Sequence, residues 1–141
     1  MITSHNLSVF FQHYVSAFTA QHTETLVNCY QIPCTLSSPD NVVLISTEKQ
    51  LIETLVDANS QINQANIAGV KLLDSSYQSL SDDLFLVNIG WQLLTQDNQV
   101  YTEFCAIYYV AVINNKLKII NINSQELSQS LNLANTLTLK K

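Results

Sequence analysis

Tyr14, Tyr30, Trp91, Tyr108 and Asn121 are the side chains of this chain best suited to holding a small molecule. Each joins hydrogen-bonding capacity to surroundings rich in apolar residues, so a phenol, indole or amide there can orient a mostly apolar ligand. The same groups can bond to one another or to backbone as parts of a core, and both readings stay open at this point. Proton-transfer chemistry asks for more: a carboxylate or imidazole in apolar surroundings, facing a donor that stabilises an enolate. The acids do not obviously meet that need. Asp40 falls in a turn signal, Asp82 and Asp83 precede a strand-like run, Asp74 lies within another, and Glu103 shares a face with Cys105 and Ile107. A register slip of one residue would turn Asp74 or Glu103 inward and supply an acid-base group.

His13 sits at the edge of an apolar helical stripe and His22 beside a helix start, which suits ordinary solvated imidazoles as well as a base; His5 is assigned no role. Cys29, Cys34 and Cys105 have no neighbouring histidine or cation to hold a thiolate, as expected of buried, inert thiols. No His-x-x-x-His spacing or close cysteine pair marks a metal site, so neither metal nor cofactor is expected.

The positioning elements come from a chain of 141 residues, enough for one domain with one core. Only 12% of its residues are charged while 47% are apolar, a balance that hints at apolar surface hidden in an oligomer. Eleven acids oppose six bases, all lysine, and a net charge of -5 without any arginine argues against DNA, RNA and phosphate-rich ligands. The apolar runs, such as Tyr108 to Ile113, are far too short to span a membrane, and no basic-then-apolar leader opens the chain. With an odd number of reduced thiols, these features predict a cytoplasmic protein.

Leu7, Phe10, Phe11, Tyr14, Val15 and Phe18 recur at helical spacing, predicting a first helix over 4–21 with Ser4 as its cap. Thr23 is expected to cap a short second helix that carries Leu26, Val27 and Tyr30 inward and stops at Pro33. Runs at 34–38 and 42–45 flank Pro39, Asp40 and Asn41, a hairpin signal. Ser46 or Thr47 is expected to cap a third helix that runs to about Asn66, Gln50 lying three after Thr47 as in a capping box, with Leu51, Ile52, Leu55, Val56 and Ile62 on its buried side. Strand-like runs follow at 70–80, 84–96, 100–113 and 116–124, and Asp97-Asn98 and Asn114-Asn115 are tight-hairpin connections. Along 85–91 large residues alternate with Asn88 and Gly90, so one face meets the helices. Phe104, Ala106, Tyr108, Val110 and Val112 share one face of the next run, but Cys105, Ile107, Tyr109 and Ala111 make the other apolar too, as when a second chain covers it. Asn121, in phase with Leu117 and Ile119, is expected to point toward the helices.

This order of elements resembles the nuclear transport factor 2-like superfamily, which includes ketosteroid isomerase and SnoaL-like polyketide cyclases. The resemblance spans about 7–124 and is carried by Phe11, Gln12, His13 and Tyr14 with Ala17; by Tyr30, Gln31, Ile32 and Pro33; by Ile45, Ser46, Thr47 and Glu48; by Trp91 with the Asp97-Asn98 turn; and by Phe104 to Val110 before Lys118 and Ile119. It implies an α+β fold: a cone-shaped α+β barrel of three N-terminal helices on a curved, mainly antiparallel sheet, with an early β-hairpin. A pocket at the wide end and dimerisation through the sheet are further implications. Such folds host isomerases, cyclases, dehydratases and plain binding modules, so no single activity follows. Neither the base nor the acidic donor of ketosteroid isomerase matches a position here. The expectation is one domain over 1–124 and a tail over 125–141 that is flexible or packed on a partner. The domain is expected to bind a small, mostly apolar molecule as a homodimer; an isomerase, dehydratase or cyclase, and a protein-interaction module, are the alternatives.

Overall fold

A computed structural model describes residues 2–139. Helix α1, Ser4–Thr19, starts at Thr3, not at Ser4: the Thr3 hydroxyl accepts from the Asn6 amide while the Asn6 side chain accepts from the Thr3 amide. Its stripe of Leu7, Phe11, Tyr14 and Val15 is buried. Helix α2 is Thr23–Val27, and its cap position is His22, which makes no side-chain capping bond. The Thr23 hydroxyl instead accepts from the Asn59 side-chain amide of the next helix, tying two helices together. Nor does Pro33 end α2. The helix closes at Val27 because the next residues are drawn into the sheet: the Ile119 amide donates to Cys29 O at 2.7 Å, and Tyr30 pairs with Ile119.

Strands β1, Tyr30–Ser38, and β2, Asn41–Ile45, form the expected hairpin, and Pro33 lies inside β1 after a cis peptide bond. Helix α3, Glu48–Gln64, carries the Thr47–Gln50 capping box. Only Leu51 and Leu55 are buried on it, whereas Ile52 and Val56 are exposed. A helix resting on the sheet through a narrow i, i+4 stripe turns the next residues about 100° away, toward solvent.

Four long strands complete the sheet: β3, Ile67–Ser81; β4, Leu84–Thr95; β5, Val100–Ile113; and β6, Lys116–Gln125. Asn98, Asn114 and Asn115 all take positive φ, so the tight turns form where their asparagines suggest. A two-residue strand β7, Asn135–Thr136, extends the sheet to the order β2-β1-β6-β5-β4-β3-β7. Every neighbouring pair is antiparallel except β1 with β6, which run parallel. Register shifts in β3, near Leu93 and near Tyr109 bend the strands, and the curved sheet wraps the helices. Phe85, Val87, Ile89 and Trp91 of β4 and Ala106, Tyr108 and Val110 of β5 meet α1 in one core.

The outer face is partly covered by the chain itself. Cys105 and Ile107 are already buried there, with the Cys105 thiol directed at Glu126 O. After a short 3-10 turn, Leu127–Gln129, the Leu131 amide donates to Asn88 Oδ1 and Leu131 O accepts from the Ser76 hydroxyl, which in turn accepts from the Leu133 amide. Leu137 then reaches the core, its amide bonded to Ser75 O. Asn88 and Ser76, the buried polar residues of the described chain, are thus the seats of the tail. Gly90 lets it approach: a Cβ there would lie 2.9 Å from Leu73 Cβ and 3.5 Å from Leu127 Cδ1. Gly90→Val is expected to lower stability by about 1–3 kcal/mol by overpacking, and to speed proteolysis after Gln125. Unchanged urea midpoint and digestion would show that Leu127 is not seated there.

Candidate functional site

The structure brings four of the five singled-out side chains together. Tyr14 comes from α1, Tyr30 from the start of β1, and Trp91 and Tyr108 from facing strands, all less than a tenth exposed. Tyr14 and Tyr30 share a hydroxyl-to-hydroxyl hydrogen bond of 3.1 Å, and Trp91 Nε1 donates to the Tyr108 hydroxyl at 3.1 Å. Their rings meet edge to face: Tyr14 and Tyr108 centroids are 5.8 Å apart, Tyr14 and Trp91 6.4 Å, and Phe11 stands 5.0 Å from Tyr108. Each polar tip finds its partner inside the cluster, the arrangement that makes buried phenols and indoles tolerable.

Burial dominates the electrostatics. It pushes the Tyr14 hydroxyl up to about 12, against the opposing effect of its bond to Tyr30. Tyr30 and Tyr108 are raised well above the usual tyrosine value, first by burial and then by Tyr14 beside them. These phenols are neutral donors and acceptors at neutral pH and do not serve as bases. Toward the C-terminal end of α1, Phe18 and Phe104 flank Trp91, and a cavity of about 50 Å³ is lined by Phe18, Ile62, Ile67 and Val70. That is room for one or two waters, since each takes about 30 Å³ in the liquid.

Asn121 lies elsewhere. The register shift between Tyr109 and Val110 moves the alternation by one: Ile119 pairs with Val110, but Asn121 pairs with Tyr109. The amide therefore sits on the outer face and Ile122 takes the inward place, packed on the core, contrary to the expectation from phase with Leu117 and Ile119. Asn121 Oδ1 is buried there without a hydrogen-bond partner. It belongs to a cross-strand row of Leu44, Thr35, Asn121, Tyr109 and Leu86 that sequence spacing did not reveal, because the row depends on pairing between distant strands. Leu44 is 63% exposed in it, and Val42 in the adjoining row is 69% exposed.

All eleven carboxylates are exposed, Asp74 and Glu103 among them, and Glu103 accepts from Gln92 on the outer face. His5, His13 and His22 are exposed as well. The cysteines are free and buried; burial raises the Cys29 thiol to about 11 despite the lowering influence of Lys118, and raises Cys34 too. Among the described residues no three His, Cys, Asp or Glu side chains converge as a metal site, and no helix is long and apolar enough to cross a membrane.

Helices filling the concave side of a bent sheet define the NTF2-like, cystatin-like class of folds. A protein of Shewanella oneidensis described as NTF-2 like and of unknown function superposes with a TM-score of 0.71 at 14% identity, over 89% of this chain and 100% of that one. An NTF2-like protein with a cystatin-like fold from Novosphingobium aromaticivorans gives 0.70 at 7% identity, over 89% and 82%. A ketosteroid isomerase-like protein from Erwinia carotovora gives 0.65 at 10% identity, over 86% and 94%. A model of the family described as NTF2-like protein (DUF6841) matches residues 5–127, and the chain belongs to that family. No curated protein matches it in sequence.

Proposed function

We propose that this chain works by association through the outer face of its sheet, with a second copy of itself as the partner, and that its cone is a packed core. The observation that carries this reading is the uncovered half of that face. The tail occupies the β3–β4 side, while Val42, Leu44 and Tyr109 on the β2-β1-β6-β5 side keep large apolar groups in water around the unpartnered Asn121 amide. Exposed apolar patches of this kind favour protein contacts, and a twofold contact would oppose the same rows of two copies.

The alternatives have less support. A small apolar ligand in the cone would have to open the Tyr14–Tyr30 and Trp91–Tyr108 bonds, and an isomerase or cyclase would need an acid-base group where every carboxylate and imidazole is exposed. Sedimentation velocity tests the association. The chain is expected to sediment as a dimer, and Leu44→Asp combined with Tyr109→Lys to raise the dimer dissociation constant at least a hundredfold with an unchanged far-ultraviolet spectrum. A wild-type monomer at 100 μM, roughly the weak end expected for specific association, sinks the proposal. A ligand panel that raises the melting temperature of wild type but not of Tyr108→Phe would restore the cone as the working site.

A further inference from the structure

A second recess lies toward the N-terminal end of α1, where that helix, the end of α2 and the β5–β6 turn meet. It is an open groove of about 730 Å³, within the range of small-molecule sites. Val9 and Phe10 of α1 and Leu117 of β6 give it apolar lining, and Val9 is 54% exposed. Lys116 and Lys118 of β6 and the His13 imidazole of α1 line it too, and among the described residues no carboxylate does. This distribution is unusual for the chain. Its net charge is -5 and it has six lysines, of which Lys49 faces Glu53 at 4.0 Å. Lys116 and Lys118 have no such counterion among the described residues.

Lys118 is held in place because its ammonium donates to Asn28 O. An ammonium has three donors, so that bond leaves capacity for a ligand. The geometry points to a binding site for an amphiphilic carboxylate, such as a medium-chain fatty acid: head group between Lys116, Lys118 and His13, alkyl chain along Val9, Phe10 and Leu117. The apolar part of the lining is what separates an amphiphilic carboxylate from a bare anion such as phosphate. About half of the lining is apolar, so burying the methylenes of an alkyl chain adds affinity that a purely ionic ligand would not gain.

Isothermal titration of the full chain with sodium decanoate, decanol and inorganic phosphate tests it. Decanoate is expected to bind, with decanol and phosphate each at least fivefold weaker. Lys116→Glu on β6 and Val9→Glu on α1 alter exposed side chains, and each is expected to weaken decanoate at least fivefold with the melting temperature unchanged. Amide shifts in α1 and in the β5–β6 turn should map the site. No decanoate binding at millimolar concentration overturns the inference, as does binding that either variant changes by less than fivefold or that phosphate matches.

Discussion

Tyr108→Ala is expected to destabilise the chain by about 3–5 kcal/mol, the range for removing a large buried aromatic ring. Tyr108 is 2% exposed and touches Phe11, Tyr14 and Trp91, so its loss opens a hole among rings that cannot all move in to fill it. Tyr108→Phe separates the polar part of that cost. It keeps the ring but leaves the Trp91 indole N–H buried without its acceptor, a loss of about 1–3 kcal/mol. Urea unfolding reads both: the midpoint should fall with little change in slope, because the surface exposed on unfolding hardly changes. A Tyr108→Phe midpoint equal to wild type would mean that the indole finds another partner and that the cluster is looser than its geometry.

Alkaline solution should unfold the chain through the same cluster. Tyr14 is raised from the ordinary 10 to about 12 in the folded chain, and Tyr30 and Tyr108 are raised as well. Between the unfolded and folded values the native state keeps protons that the unfolded state has released, so stability falls as pH rises. The contribution is complete below about pH 10 and is lost toward pH 12, at about 1.4 kcal/mol per pH unit for each phenol that stays protonated. Cys29, raised from 9 to about 11, extends the decline downward by one unit. Urea midpoints at pH 8, 9, 10 and 11 should hold at first and then drop steeply, and tyrosinate absorbance from Tyr14, Tyr30 and Tyr108 should rise only with unfolding. Tyr14→Phe should make the drop shallower. Equal midpoints at pH 8 and pH 11 would contradict the burial of these phenols.

The cone itself illustrates how a site can be legible while its role is not. Helical spacing placed Tyr14 inward on α1, and strand alternation placed Trp91 and Tyr108 inward on β4 and β5. Nothing in that spacing says whether their polar tips meet a ligand or each other. The decision lies in hydroxyl-to-hydroxyl and indole-to-hydroxyl distances between residues 16 and 17 positions apart. Asn121 shows the complementary failure. A phase count from Leu117 assumes an unbroken alternation, and one extra residue in β6 opposite Tyr109 reverses it.

Local rules settled the helix stripe of α1, the Thr47–Gln50 box and the asparagine turns, because capping and positive φ depend on residues within a few positions of one another. Only the folded chain decided that β1 runs parallel to β6, that Asn88 and Ser76 hold the tail, and that two lysines share the lining of one recess with apolar residues of α1. Those features arise from pairing and packing between segments far apart in sequence. Many partners compete for such contacts, and the winner is chosen by the shape and satisfaction of the whole core, which no short window of residues contains.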